Sequence, residues 1–313
     1  MAQSIKPGSG LILSHSQSNA NLLIFQLFHI KMECKYCSRE AIEEINGKAY
    51  CKEHFIKYFL GRVRSIIDKF GISGEIAVAL SGGKDSAACF HALHSLNFDL
   101  QPFYINLHIP GYSEICQKKA EELCSNLGYK LKIIDVEEYG ISIANKKKPC
   151  SICGTVKRYL MNKFAYEHGY KYVATGHNLS DAVTFALNNL ANVNMLNFRG
   201  NKPYLEGREE YKMVAKVKPL YWLKDKECML YVILNELPFA DEECLFAKNA
   251  PTIKIKEWIH SIESEQPGIM ANMAKSFWKI EEMIERDEKI NKCKKCGFAS
   301  YGSVCKFCKI RKR

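Results

Sequence analysis

The residues Ile76-Ala77-Val78-Ala79-Leu80, followed at once by Ser81-Gly82-Gly83-Lys84-Asp85-Ser86, decide the fold. Five small or branched apolar residues in a row suit a strand buried on both faces, and the hexapeptide turns that strand into a helix. The glycine pair lets the backbone come close to a ligand. Amides at the opening of the helix can hold phosphate oxygens against the positive end of its dipole, and Lys84 adds a mobile positive charge. The loop is not a Walker A sequence: Lys84 is followed by Asp85 rather than Ser or Thr, and the earlier glycine is missing. Motor-type hydrolysis is therefore not implied. A glycine turn also serves as a plain connection between strand and helix, but the complete hexapeptide behind a buried strand points to a nucleotide phosphate.

Outward from this loop, strands and helices alternate. Strand patterns at 75–80, 102–106, 130–136 and 171–175 are separated by helical patterns that begin at Asp85 and Ser113 and then cover 151–168 and 179–190. Such alternation predicts a doubly wound, mostly parallel α/β sheet. It brings Asn106-Leu107-His108 and Gly176-His177-Asn178 beside the first loop at the carboxyl ends of the strands, where open α/β sheets bind ligands. Asn106 and Leu107 suit adenine and ribose, and Gly176 lets its loop pass close to the nucleotide. His177 is as well explained by capping or packing as by chemistry. Residues 224–288 carry mainly helical patterns. The expected organisation is an extension at 1–31, a finger at 32–58, a catalytic domain at 59–288 and a zinc ribbon with a basic tail at 289–313. The Ser-, Asn- and Gln-rich extension ends immediately before Met32, where the first cysteine cluster opens. Translation from Met32 is the expectation, with a genuine extension as the alternative.

In 313 residues, 47% hydrophobic and 25% charged side chains describe a soluble globular protein and exclude the disordered and membrane classes. The apolar run at 22–30 is too short to span a bilayer and lacks the flanks of an export signal. Forty-five Lys and Arg against thirty-four Asp and Glu leave a net charge of +11. That excess points to a polyanionic partner, nucleic acid first, with a solubilising surface as the plain alternative. Fourteen cysteines in a chain of this size, most of them at metal-ligand spacings, fit a reducing, cytoplasmic compartment better than a disulfide framework.

Cys34, Cys37, Cys51 and His54 read CxxC then CxxH, and Cys293, Cys296, Cys305 and Cys308 read CxxC then CxxC. Each set supplies four ligands for a tetrahedral Zn2+, with no open position for chemistry, so both are expected to fold a short segment. Redox disulfide pairs are the alternative. Lys292, Lys294, Lys295, Lys306, Lys309 and the terminal Arg311-Lys312-Arg313 give the second finger a basic surface suited to RNA phosphates; a solvated tail explains the final residues equally well.

Cys150 and Cys153, just after Pro149, stand one helical turn apart, and Lys157 follows four residues later on nearly the same face. Cys244, in Glu243-Cys244-Leu245-Phe246, is the other cysteine in a comparably loop-like, acid-flanked setting. Three cysteines make an incomplete shell for a four-iron cluster and leave one iron open to an outside ligand. The same thiols would serve persulfide chemistry, and spacing does not separate the two. A structural pair at a helix start is the plain reading. Cys89, Cys116, Cys124 and Cys228 fall on helical patterns among apolar residues and read as core.

Together the two fingers, the 81–86 loop, Pro149-Cys150-Ser151-Ile152-Cys153-Gly154 and Thr175-Gly176-His177-Asn178 resemble the tRNA 2-thiouridine synthetases of the TtcA/TtuA type. These are PP-loop ATP pyrophosphatases with an adenine nucleotide alpha hydrolase-like fold. The resemblance covers 32–308 and is closest to the two-zinc-finger branch that includes the cytoplasmic wobble-uridine thiolases. It implies that Ser81, Gly82, Gly83, Lys84, Asp85 and Ser86 bind ATP, with Asp85 helping to place Mg2+. It implies that ATP adenylates a tRNA uridine at its C2 oxygen and that sulfur then displaces AMP. Cys150, Cys153 and Cys244 would hold a 4Fe-4S cluster. Lys157 would neutralise developing negative charge near ATP, and Asp181 would assist with metal or proton transfer. The sulfur would come from sulfide or from the thiocarboxylate of a ubiquitin-like carrier, the target would be uridine 34 or 54, and the protein would be a homodimer.

The chain departs from the family pattern where LDDEA becomes Leu179-Ser180-Asp181-Ala182-Val183 and where Leu245 replaces a proline after the third cysteine. Altered magnesium handling or a different target is the consequence to look for. Two rivals stand beside this reading. A PP-loop ligase that joins an amine to an adenylated base or acid has no use for the three thiols. A non-catalytic RNA-binding zinc protein has no use for Lys84, Asp85, Lys157 and Asp181.

Overall fold

The computed structural model describes residues 32–144, 146, 148–198, 200–247, 251–283 and 290–311. The expected extension at 1–31, the last two residues of the basic tail and the end of the helical pattern expected over 224–288 lie outside the described residues.

The chain divides into two units, 1–54 and 55–313. In the first, the hairpin β1 (Glu43–Ile45) and β2 (Lys48–Tyr50) turns at Asn46 and Gly47, both with positive φ (51° and 73°). That is the two-residue turn whose twist matches an antiparallel pair. Cys51 follows β2 directly, and His54 lies in the first turn of α1 (Lys52–Lys69), so the hairpin and the helix start set the spacing of the second ligand pair.

The second unit is built on alternation. In chain order it runs β3 (Ile76–Leu80), α2 (Lys84–Ser95), β4 (Leu100–Asn106), α3 (Ser113–Asn126), β5 (Lys132–Asp135), α4 (Pro149–Glu167), β6 (Tyr172–Thr175), α5 (Leu179–Ala191), β7 (Tyr204–Leu205) and β8 (Ala215–Val217), then α6 (Asp225–Leu234), α7 (Pro251–Glu265) and α8 (Ile269–Met283). The strands lie in the order β5-β4-β3-β6-β8-β7, all pairs parallel except the antiparallel edge β7–β8. This is the doubly wound, mostly parallel sheet that the sequence predicts. The chain fills one side of β3 and then returns to the other, so the switch of direction falls between β3 and β6.

Element ends differ from the sequence expectation for identifiable reasons. β4 starts at Leu100, upstream of Pro102. The register Ile76 to Leu100, with the Ile76 amide on Asp99 O, turns the Pro102 nitrogen away from β3, and β5 pairs only from Phe103 onward. The missing N–H therefore costs no ladder bond. α4 begins at Pro149 rather than 151, because proline at the first helical position gives up a donor that has no partner there anyway.

The C-terminal ribbon, β9 (Asn291–Lys292), β10 (Ala299–Ser300) and α9 (Lys306–Ile310), is expected from sequence as a module of its own, yet it shares a core with the sheet domain. Phe307 stacks on Tyr159 of α4 at 3.7 Å between ring centroids and 11° between planes, and Phe298 meets Tyr159 and Tyr166 edge-on. Arg311 Nε donates to Tyr139 O at 3.1 Å. Each such ring pair contributes roughly 0.5–1.5 kcal/mol beyond area burial, so the ribbon is fastened to the helix that carries Cys150, Cys153 and Lys157. Among the described residues, no helix is long and apolar enough to cross a membrane.

Candidate functional site

The site forms where the loops after β3 and β6 meet, and two glycines make the meeting possible. Gly82, at φ +80°, lies so close to the first turn of α3 that a Cβ would stand 2.3 Å from Cys116 O. A Cβ on Gly176 would stand 2.6 Å from both Asp85 C and Asp85 O. The 81–86 loop is therefore wedged between α3 and the 176–178 loop. Ser86 Oγ closes it internally, accepting from Ser81 N (3.1 Å) and donating to Gly83 O (2.8 Å).

A chain of charges crosses this junction. Lys84 Nζ binds Asp85 Oδ1 (2.9 Å) and Asp225 Oδ1 (3.0 Å). Lys256 Nζ, from α7, binds the same Asp225 Oδ1 (2.7 Å) and Asp181 Oδ1 (3.1 Å). Asn178, fully buried, donates through Nδ2 to Asp85 Oδ1 (3.1 Å), and its Oδ1 accepts from the Asp181 amide (3.0 Å) to cap α5. Burial raises the Asp85 carboxyl, although Lys84 pulls it the other way. Asp225 is held well below the usual carboxylate range because Lys84 and Lys256 outweigh its burial. Asp225 and Lys256 are absent from the sequence reading. Asp225 stands at a helix start after an unremarkable Leu-Lys and Lys256 on an amphipathic helix, and nothing local links either to a loop more than a hundred residues earlier.

The cavity beside this network measures about 270 Å³. Ser81, Asp85, Ser86, Leu107, Lys157, Gly176, His177 and Asp181 are in its wall. Asn106 is not: its Nδ2 donates to Gln117 Oε1 (3.1 Å) and its Oδ1 accepts from the His108 amide (2.9 Å), so it shapes the turn that presents Leu107. Gly82, Gly83 and Lys84 are not among the residues that line the cavity. His177 Nδ1 lies 2.8 Å from Thr175 Oγ1. Burial, with help from Lys218, Lys216 and Lys157, pushes the His177 imidazole down to about 4, so it is neutral at ordinary pH. Lys216 and Lys218 are themselves pushed down to about 8 by burial, Arg158 repelling the first and Lys216 the second. Two buried cations thus act on His177 in the cavity wall.

The three open cysteines converge from two segments. Cys150, exposed in the first turn of α4, donates its thiol to Phe246 O at 3.1 Å. Cys153 and Cys244 are half-buried at the edge of the core that includes Val156 and Leu160. Burial raises the Cys153 thiol, with Lys157 pulling it down and Cys244 and Cys150 near enough to act on it. Their sulfurs do not gather within 4.8 Å of one another as the finger ligands do. A single tetrahedral ion needs that tight set, whereas a four-iron cube spaces its ligands more widely. Cys116, read from sequence as core, is 1% exposed, yet its backbone walls Gly82 and Lys157 and Cys244 lie within electrostatic reach of its thiol.

Each finger set places its four ligand atoms within 4.8 Å of one another. In the first, His54 Nδ1 lies 3.4 Å from Cys34 Sγ and 3.3 Å from Cys51 Sγ. In the second, the amides of Cys305 and Lys295 donate to Cys293 Sγ at 3.2 and 3.4 Å, which favours thiolate.

The PP-loop domain family matches residues 58–246. The chain is 38% identical over 290 residues to the tRNA-5-methyluridine(54) 2-sulfurtransferase of Pyrococcus horikoshii, covering 89% of this chain and 93% of that protein. It is 27% identical to the cytoplasmic tRNA 2-thiolation protein 1 of Drosophila yakuba over 78% of this chain and 77% of that one. Among solved structures, the U34-tRNA thiolase NcsA from Methanococcus maripaludis, determined with its [4Fe-4S] cluster, matches with a TM-score of 0.80 at 28% identity, over 91% of this chain and 97% of that chain.

Proposed function

Because the chain belongs to the PP-loop family of tRNA 2-sulfurtransferases, we propose that it adenylates a tRNA uridine at the C2 oxygen with ATP and replaces that oxygen by sulfur. The observation that carries this reading is the convergence of Lys157 and Asp181 with the 81–86 loop in the wall of one cavity, while Cys150 and Cys153 share a helix with Lys157.

ATP, in this proposal, lies with its phosphates against the opening of α2 and its nucleoside toward Leu107. The uridine C2 oxygen attacks the α-phosphorus, the bond to the bridging oxygen breaks, and pyrophosphate leaves with the electron pair. Sulfur then adds at C2 and AMP departs. Lys157 offsets negative charge that grows on the α-phosphate and the departing AMP, the kind of preorganised electrostatic help that is worth several kcal/mol in a closed site. Neutral His177 lines the same cavity and adds no charge to it.

Asp85, Asp181 and Asp225 belong to one hydrogen-bonded group through Lys84 and Lys256 and are the carboxylates that would hold Mg2+, although their oxygens are not gathered within 4.8 Å as the finger ligands are. Bound there, the ion would screen the triphosphate. Ser180 and Ala182, which stand where the family has acids, are both buried at the start of α5, and Asp225 supplies a carboxylate to the same junction. The two finger sets fit Zn2+ by donor type and closeness. Cys150, Cys153 and Cys244 fit three ligands of a 4Fe-4S cluster, whose open iron would supply a binding place for sulfide. The donor is sulfide or a carrier thiocarboxylate. The higher identity to the 5-methyluridine(54) enzyme than to the U34 thiolase favours the T-loop uridine. The Drosophila relative's name favours the cytoplasm.

The test is direct. Protein purified without oxygen is incubated with unmodified tRNA, Mg-ATP and either sulfide or a carrier thiocarboxylate, and the digested RNA is examined by mass spectrometry. Thiouridine at position 54 with one AMP per sulfur is expected. No thiouridine and no AMP with metal-reconstituted protein would sink the proposal, and thiouridine from iron-free protein would replace the cluster by persulfide chemistry.

A further inference from the structure

We propose that Lys256 is a pyrophosphate ligand: α7 presents its ammonium beside that of Lys84 so that the two hold the β- and γ-phosphates of ATP. The inference rests on reading the 81–86 loop as the ATP site. Lys84 opens α2 and Lys256 lies within α7, elements far apart in sequence, yet both ammoniums reach the same oxygen, Asp225 Oδ1, at 3.0 and 2.7 Å. They stand close enough for one diphosphate to bridge them, at the amino end of a helix whose dipole also favours an anion.

Lys256 is set in place by its helix. Seven residues on, Glu263, 7% exposed, accepts from Lys224 Nζ (2.7 Å) and from the amides of Gly268 (2.8 Å) and Met270 (2.9 Å). α7 is thereby pinned to the starts of α6 and α8. His260, one turn beyond Lys256, faces the same charged group, being acted on by Asp225, Lys256, Lys84 and Asp181. Lys84 is shared between Asp85 and Asp225 and Lys256 between Asp225 and Asp181, with Asn178 Nδ2 also on Asp225 at 3.4 Å, so both ammoniums belong to one linked cluster of charges rather than to separate ion pairs. The three carboxylates that hold the two ammoniums are the residues suited to the divalent cation that accompanies a triphosphate. Engaging them frees both ammoniums for phosphate oxygens. When the α-phosphorus bond to the bridging oxygen breaks, the electron pair passes to pyrophosphate, and Lys84 and Lys256 hold the resulting charge without moving a proton.

The experiment measures calorimetric binding of magnesium pyrophosphate and, separately, of AMP to the full chain and to K256M and K256R. Loss of one charge-assisted hydrogen bond in K256M is expected to weaken pyrophosphate binding by about tenfold or more. AMP affinity should change by less than about threefold, and K256R should recover most of the loss. Pyrophosphate affinity unchanged in K256M overturns the proposal. Equal loss of AMP and pyrophosphate affinity also overturns it, because Lys256 would then be a strut for the loop. If the unaltered chain binds neither AMP nor pyrophosphate nor Mg-ATP, the nucleotide reading fails first and takes this one with it, an outcome distinct from failure confined to Lys256.

Discussion

Gly176 packs against the backbone of Asp85 with no room for a side chain, a Cβ there falling 2.6 Å from Asp85 C and O. The contact joins the loops after β3 and β6 across the switch point of the sheet, so the position of the nucleotide loop depends on a residue ninety positions downstream.

Replacing Gly176 by Ala should push these loops apart. Overpacking of this kind costs roughly 1–3 kcal/mol, which the sheet can absorb, but the cavity wall moves with it. AMP affinity measured by calorimetry is expected to fall by about tenfold or more while the circular dichroism spectrum stays that of the parent. Unaltered affinity would show that the loops adjust independently.

Lys157 stands in the cavity wall without being part of the Lys84-Asp225-Lys256 network. Its removal should therefore spare the loop and slow the chemistry. K157M is expected to lower single-turnover thiouridine formation by about 10²–10³-fold with AMP affinity within about threefold of the parent. A loss confined to AMP binding would make Lys157 a nucleotide anchor and leave charge neutralisation to another group.

The strand and loop at 76–86 were readable because a buried parallel strand and a phosphate loop each have a local signature, and the finger ligands because metal spacing is local too. The Asp225–Lys256 half of the site was not. Its residues meet through the packing of α5 against α7 and of α2 against α6, and a lone Asp or Lys on a helix carries no mark of its partner. Asn106 shows a different limit: it sits where a ribose contact is expected, and spacing carries no sign that its side chain is engaged by Gln117 and the His108 amide. The ribbon's docking was hidden as well, since nothing local to Phe298 and Phe307 marks Tyr159 and Tyr166 as their partners.

On the proposal that the ribbon's four cysteines hold Zn2+, that docking ties the metal to α4. Without metal the four thiols of Cys293, Cys296, Cys305 and Cys308 lose what closes them, and small closed zinc sites owe most of their folding energy to the ion. Chelation is expected to raise amide hydrogen exchange across 149–167, around Tyr159, while β3 stays protected. Y159A should reproduce part of the effect with the metal still bound. Exchange in α4 that ignores both treatments would show that the ribbon rides on the helix without supporting it.

Lys216 and Lys218 give the site a pH dependence with a definite sign. Burial lowers both from 10.5 to about 8, with Arg158 adding to the shift of Lys216 and Lys216 to that of Lys218, so the free protein carries their two charges at pH 7 and loses them as the pH rises through about 8. Buried charges close to the cavity wall draw an RNA phosphate less strongly as they discharge. tRNA affinity, measured at fixed salt, is expected to fall between about pH 7 and 9, with protons taken up on binding below the upper end of that range because a phosphate restores the charged form. Removing both lysines in K216M/K218M should lower affinity at pH 7, flatten the profile and reduce the steepness of the salt dependence. A double variant that retains the parent's pH profile would place the RNA elsewhere on the surface, and the depressed lysines would then be serving the cavity alone.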